Sequence, residues 1–204
     1  MLRDLGALGG FGVFDDGRSL LSRSLLWRRG KEVTTLKRIP SEAQGAVQLP
    51  SWSWMAYDGA IDFVDLPLGG VDWQEDEIHG PWSTSDAEEQ MEEAAGRGLS
   101  AIVRPFRREP TDVDHVDFEI DLDSGEDVGT DGWEDWRCVV VGTKKVPKGR
   151  VIQMAERTHY LLIIAPTTDR DGMYADSGFY TRIGVGKAPG AVIGDAMSSR
   201  VVIH

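Results

Sequence analysis

The chain has 204 residues, of which 41% are apolar and 27% are charged, and it carries a net charge of −12. This composition excludes a wholly disordered chain, a collagen and a simple coiled coil, and the length favours one domain or one domain with an appendage. The single cysteine, Cys138, excludes an internal disulfide framework and a zinc site built on several thiolates.

The first 48 residues predict little regular structure. Residues 1–18 are rich in glycine and aspartate, which favours turns. Residues 19–29 predict a short amphipathic helix, with Leu21, Leu25 and Leu26 on its apolar stripe and its arginines in solvent. Residues 31–48 predict a polar connector.

From Leu49 onward, apolar residues recur with a period of two, which predicts strands. Trp52 and Trp54 would share one face of the first strand. Asp58 and Gly59 would form a tight hairpin turn before a second strand at residues 60–64. Residues 67–82 predict a loop, and residues 84–95 predict a weakly apolar surface helix. The segment 72–98 is therefore interpreted as an acidic insertion.

The remainder of the chain predicts strands separated by turns. The expected strands are 99–106, 113–122, 137–146, 151–155, 159–165, 178–186 and 200–203. The apolar runs CVVVG and YLLIIAP indicate the central strands, and the absence of intervening helical patterns favours antiparallel pairing. The predicted fold class is a β-rich α+β protein: a mainly antiparallel sheet or barrel-like core, a short N-terminal helical segment and one acidic surface helix.

The negative charge is concentrated in two segments. Residues 72–93 contain nine acidic residues and residues 109–135 contain twelve, and neither segment contains Lys or Arg. Such segments repel phosphate backbones, so we expect no nucleic-acid partner. No apolar run approaches the roughly 20 residues of a membrane helix, and the chain start does not resemble a signal peptide. We therefore expect no membrane partner and a cytoplasmic location.

The candidate metal-binding residues do not have the spacing of a known site. Residues 121–127 depart from a calcium loop, because the glycine stands at the fifth position and not the sixth. No histidine pair has the spacing of two ligands on one helix turn. The histidines are His79, His115, His159 and His204.

The other chemical motifs are also incomplete. Gly184 to Lys187 resembles half of a phosphate-binding loop, but Thr181 and Ala188 stand where that loop needs glycine and a hydroxyl residue. Cys138 opens an apolar strand, which predicts a buried and inert thiol. We therefore predict no metal, no cofactor and no enzymatic activity.

Two segments of the sequence resemble a known family. The run PSWSW at residues 50–54, followed by Gly59, resembles a signature of the fungal heterokaryon-incompatibility (HET) domain family. The run SLLWRR at residues 24–29 matches the segment that commonly precedes this signature, and residues 160–166 and 182–186 look like the family's C-terminal region. The residues that carry the resemblance are Leu25, Leu26, Trp27, Arg28, Pro50, Ser51, Trp52, Ser53, Trp54, Gly59, Arg182, Gly184 and Gly186.

The resemblance implies a C-terminal portion of a HET protein, because the N-terminal motifs of the family are absent. Residues 1–48 would be a remnant of the downstream end of a HET-like domain plus a connector, and residues 49–204 a β-rich C-terminal region. The implied role is a non-enzymatic regulatory or scaffolding part of non-self recognition and cell-death signalling, with protein partners. Any nucleotide chemistry of the family would lie upstream, so no catalytic residue is assigned here.

Two other functions stay open from the residues alone. The tryptophans could form an exposed face that binds a peptide or a ligand, although core packing is the favoured interpretation of Trp52 and Trp54. The many carboxylates could include a hydrolase pair, which can be identified only once their spacing in the fold is known.

Overall fold

A computed structural model describes residues 8–40, 49–82, 98–106, 118–124, 135–167, 179–194 and 199–204. The strands are short in the N-terminal half of the chain and long in the C-terminal half. In chain order they are β1 (Leu8–Gly10), β2 (Val13–Asp15), β3 (Trp27–Arg29), β4 (Lys37–Arg38), β5 (Tyr57–Asp58), β6 (Ile61–Phe63), β7 (Val71–Trp73), β8 (Ile78–His79), β9 (Leu99–Pro105), β10 (Glu119–Leu122), β11 (Arg137–Lys144), β12 (Thr158–Pro166), β13 (Phe179–Pro189) and β14 (Ser199–Ile203).

Helical structure is sparse in the described residues. One α-helix, α1, spans Leu20–Ser24, and three single turns of 3₁₀ helix span Trp54–Ala56, Met154–Glu156 and Gly190–Val192. No helix in these ranges is long and apolar enough to cross a membrane. The predicted β-rich class with a short N-terminal helix is confirmed.

Five strands close into a mixed β-barrel in the order β9–β11–β12–β13–β14. The pairs β11–β12, β12–β13 and β14–β9 are antiparallel, whereas β13 and β14 run parallel. The barrel closes where Arg137 and Cys138 of β11 pair with Pro105 and Arg104 of β9. The predicted antiparallel pairing therefore holds for most of the barrel, and β13–β14 is the parallel exception.

Further strands extend the barrel where its own strands separate. β14 pairs with the start of β13, and β10 pairs with the later part of β13, with Leu122 opposite Gly184. In the same way β9 pairs with the start of β11, and β7 pairs with its end. β13 is thus bordered by two successive strands along one edge, and residue 182 lies between the two pairings.

The barrel interior is filled by one face of each of its five strands. Leu99, Val139, Leu162, Val185 and Ile203 belong to this face and have no exposed surface. Fully burying an aliphatic side chain of this size contributes about 1.5–3 kcal/mol. The interior cluster continues outward into the N-terminal half of the chain through Val13, Leu21, Leu25, Leu26 and Trp52.

A second cluster covers the outer face of the central strands. It contains Cys138, Leu161 and Ile163 from β11 and β12, together with Phe106 and Val192. Both faces of these two strands are therefore buried, as their continuous apolar runs predict.

The N-terminal half adds three two-stranded sheets to the barrel. β1 pairs with β2, β3 pairs with β6, and β4 pairs with β5. Two of these pairs join residues 27–38 to residues 57–63, so strand pairing crosses residue 48. The assignment of residues 1–48 and 49–204 to separate regions stays a prediction.

The helix predicted over residues 19–29 is shorter than expected. It ends at Ser24, whose Oγ donates to Leu21 O (2.9 Å) and accepts from Phe14 N (3.4 Å), which ties this turn to β2. Trp27–Arg29 instead form β3, which pairs with β6. The predicted apolar residues Leu21, Leu25 and Leu26 are buried, but Arg28 is only 14% exposed.

The strand predicted after Leu49 is wrong. Residues 51–56 form a turn and a 3₁₀ helix, because Ser51 and Ser53 are buried beside Trp52 and bind main-chain groups. The hairpin predicted at Asp58-Gly59 is also wrong, since the strands on either side of it pair with β4 and β3. Gly59 has φ +133°, and a Cβ there would lie 2.8 Å from Leu36 Cδ2.

Other differences concern loops. The predicted loop 67–82 contains β7 and β8, which lie on the edges of the barrel sheet. The predicted strand 151–155 is absent, because a turn at Pro147 to Arg150 leads into exposed residues and a 3₁₀ turn. The predicted helix 84–95 lies outside the described residues, and the predicted strand 113–122 is described only from residue 118.

Candidate functional site

The centre of the candidate site is the guanidinium group of Arg182, whose side chain has no exposed surface. Its Nε donates to Asp123 Oδ2 at 3.0 Å and its Nη2 to Asp123 Oδ1 at 3.1 Å, which forms a bidentate ion pair. Nη1 donates to Leu25 O at 3.0 Å, and Nη2 also donates to Trp27 O. The guanidinium therefore links β13 to the end of β10 and to the segment between α1 and β3.

Trp27 forms one wall of this site. Its ring centroid lies 3.2 Å from Arg182 Cζ, a cation–π contact in a buried environment. Its indole Nε1 donates to Trp52 O at 2.9 Å, and its ring lies 5.4 Å from the ring of Tyr57. Trp27 thus joins the arginine to the PSWSW run.

Ser51 makes the second connection between PSWSW and β13. Its Oγ accepts from the backbone N–H of Arg182 at 3.0 Å and donates to the carbonyl of His204. The phenol of Tyr57 donates to Ser51 O at 3.3 Å. A serine hydroxyl with these two partners is satisfied by main-chain groups and is not a free nucleophile.

Ser53 and Trp54 attach the same run to the N-terminal hairpin. Ser53 Oγ caps the 3₁₀ helix by accepting from Met55 N at 3.1 Å, and it donates to Phe11 O at 2.6 Å. The indole of Trp54 donates to Gly12 O at 2.9 Å. Gly12 has φ +77°, and its missing side chain leaves the space that the Trp54 indole occupies.

The remaining residues of the resemblance lie around this network. Leu25 and Leu26 are buried in the core, and Arg28 pairs with Asp121 at 2.9 Å and with Glu119 at 3.2 Å. Pro50 O accepts from Ser53 N at 3.1 Å. Gly59 lies in the turn after β5, away from the arginine's own contacts.

Gly184 and Gly186 lie where β10 passes over β13. A Cβ at Gly186 would stand 2.6 Å from Glu119 O, and a Cβ at Gly184 would collide with Asp121 O. The two glycines therefore admit β10 to the edge of β13. This pairing places Asp123, which follows β10, beside Arg182.

Burial controls the protonation of the ion pair. Burial raises the pKa of Asp123, and the Arg182 guanidinium opposes that rise. Burial also lowers the pKa of Arg182, against the attraction of Asp123. Each charge is therefore stable in this position only because the other is present, and either one alone would be costly to bury.

Several residues that carry the family resemblance are distant in sequence but lie close together in the fold. Leu25, Trp27, Ser51, Trp52 and Arg182 form one connected set of hydrogen bonds and ring contacts, which we call the Arg182 network together with Asp123. In the sequence, Asp123 stands within the incomplete calcium-loop motif at residues 121–127, which gives no sign that it is buried. The signal that it is buried is an arginine within the apolar strand run FYTRIGVG, which requires a carboxylate partner.

The described part of the chain offers little for direct chemistry. It contains no group of three or more His, Cys, Asp or Glu side chains that could hold a metal ion. Burial raises the pKa of the Cys138 thiol to about 12, so the thiolate nucleophile is not available at neutral pH. Trp52 has no exposed surface, so a binding face made of Trp52 and Trp54 is not present.

Comparisons with protein-family models, with curated protein sequences and with solved structures find no match to this chain. The resemblance to the HET family therefore rests on the sequence motifs alone.

Proposed function

We propose that this chain is a non-enzymatic regulatory or scaffolding portion of a heterokaryon-incompatibility protein, which acts in non-self recognition and cell-death signalling through a protein partner. The supporting observation is the Arg182 network. The segments that resemble the family, LLWR, PSWSW and RIGVG, are distant in sequence but meet around a single buried arginine.

The chemistry of this network supports a structural role for the motifs. The hydroxyl groups of Ser51 and Ser53 and the indoles of Trp27 and Trp54 all donate to backbone carbonyl groups. Catalytic nucleophiles and acids instead face a space that a substrate can enter. Motifs of this kind hold segments together, and in this proposal the protein partner binds a surface outside them.

The cellular test is deletion of the coding region in the source organism, followed by pairing with an incompatible strain. We expect more viable fused cells after deletion, and restoration of cell death by the wild-type chain. An unchanged viability of fused cells would contradict the signalling role.

The biochemical test addresses the non-enzymatic part of the proposal. The purified chain is incubated with ATP, GTP or NAD, and product formation is followed by chromatography. We expect no turnover above a buffer control. Turnover that Arg182→Met abolishes without unfolding the chain would assign an activity to the network and contradict the proposal.

A further inference from the structure

One end of the barrel combines exposed cations with exposed aliphatic side chains. The connection between β11 and β12 spans residues 145–157, and no acidic residue occurs between Trp136 and Ala155. In a chain with a net charge of −12 this segment is strongly basic. The exposed cations at this end of the barrel are Lys144, the last residue of β11, and Lys145, Lys148 and Arg150 in the connection.

Three apolar side chains project at the same end. Leu68 is 99% exposed, Val151 is 96% exposed and Met154 is 67% exposed. Leu68 stands two residues before Gly70, whose carbonyl accepts from Lys145 N at 2.8 Å, so the β7 entry lies beside the basic connection. We call this surface the cationic end; it comprises Leu68, Lys144, Lys145, Lys148, Arg150, Val151 and Met154.

Acidic groups neutralise only part of this charge. Asp72 lies 3.7 Å from Lys145 Nζ, with both side chains about half exposed, so the pair is weak. Glu156 is the acidic residue within the connection itself, and Arg157 follows it. Among the described residues, no acidic side chain pairs with Lys148 or Arg150, so the cationic end keeps an excess of positive charge.

The chemistry of this surface fits an anionic bilayer. Cations near a negatively charged lipid surface gain about 1 kcal/mol each, and aliphatic tips gain free energy by entering the boundary between headgroups and acyl chains. Protein interfaces are instead enriched in aromatic residues and depleted in lysine. The cationic end contains three lysines and no aromatic residue.

We propose that the cationic end binds peripherally to membranes that contain anionic phospholipids. The sequence predicts no membrane partner because it lacks a long apolar run, but peripheral binding needs no such run. Leu68 and Val151 would enter the interface, while the lysine and arginine side chains contact phosphate and carboxylate headgroups.

The experiment is co-sedimentation of the full chain with vesicles of phosphatidylcholine alone or with 30% phosphatidylserine, at low and high salt. The first variant, Leu68→Ser with Val151→Ser, removes the apolar tips. The second replaces the four cations with glutamine. A matched control replaces four exposed cations elsewhere with glutamine, namely Arg18, Arg23, Lys31 and Lys37. Thermal melts verify that each variant is folded.

We expect binding to phosphatidylserine vesicles that high salt weakens, with at least a tenfold loss of affinity in each cationic-end variant and less than a twofold loss in the control. Equal loss in the control would show a general charge effect and overturn the proposal. Absence of vesicle binding by the wild type would also overturn it. Binding to immobilised polyglutamate in place of vesicles would reassign the surface to an acidic protein partner.

Discussion

Arg182 and Asp123 form a bidentate ion pair in which the two side chains are 0% and 5% exposed. The arginine belongs to a barrel strand, and the aspartate follows a strand that pairs beside it. The same guanidinium binds the carbonyl groups of Leu25 and Trp27. One pair of charges thus holds the N-terminal segments on the barrel.

Arg182→Met should destabilise the chain by about 3–5 kcal/mol, because it leaves the Asp123 carboxylate buried without its counter-charge. It also removes the donors to Leu25 O and Trp27 O. Urea unfolding followed by circular dichroism measures the loss.

The double variant Arg182→Met with Asp123→Leu is the control for this interpretation. Because it removes both charges, it should be more stable than Arg182→Met alone. A double variant that loses the sum of the two single losses would show that the residues act independently.

Trp52→Ala should cost more than Trp54→Ala. Trp52 is fully buried in the interior cluster, and truncation of such a side chain costs about 3–5 kcal/mol. Trp54 is half-buried and would lose mainly partial burial and its hydrogen bond to Gly12 O, at about 1–2 kcal/mol. Equal losses in urea unfolding would contradict the burial described for the PSWSW run.

Gly186→Ala should destabilise the chain by about 1–3 kcal/mol, because the new Cβ would stand 2.6 Å from Glu119 O and force β10 away from β13. The matched control is Gly10→Ala, where the nearest atom to the new Cβ is 3.8 Å away and φ is not positive. We expect the control to stay within about 0.5 kcal/mol of the wild type. A harmless Gly186→Ala in thermal melts would show that β10 does not require close approach.

His159 predicts a pH dependence of stability. Burial lowers its pKa to about 4, with Arg157 and Arg104 adding to the effect, and its Nδ1 lies 3.0 Å from Thr143 Oγ1. The unfolded chain binds this proton near pH 6.5 and the folded chain only near pH 4, so stability falls as the pH drops between these values.

The contribution of His159 is isolated by comparison with His159→Gln. The wild type should lose about 2–3 kcal/mol more than the variant between pH 7 and pH 4, since each pKa unit is worth about 1.4 kcal/mol. Urea unfolding at several pH values gives the free energy of unfolding as a function of pH for the wild type and for the variant. The same pH dependence in both proteins would show that folding does not lower the pKa of His159, which would contradict this prediction.

The central strands of the barrel could be predicted from the sequence because a strand that is buried on both faces has a continuous run of apolar residues. CVVVG and YLLIIAP are apolar without alternation, and β11 and β12 are buried on both faces as expected. The parallel pairing of β13 with β14 could not be predicted, because it depends on which edges remain free after the other strands have paired.

The strand predicted for the PSWSW run is wrong for a different reason. Alternation of Trp with Ser is typical of a strand with one wet face, but here Ser51 and Ser53 are as buried as Trp52. Their hydroxyl groups bind main-chain groups of distant segments, and no local pattern records such partners. The burial of Asp123 could not be predicted for the same reason, because its partner Arg182 lies 59 residues away in the sequence.

We conclude that Arg182 fastens the LLWR and PSWSW segments to the barrel. Hydrogen–deuterium exchange of the wild type and Arg182→Lys tests it directly, because lysine keeps the charge but loses the planar fork. We predict faster exchange at residues 25–29 and 51–57, with residues 138–143 and 159–164 still protected. Unchanged exchange in the two N-terminal segments, or loss of protection throughout the barrel strands, would contradict the claim.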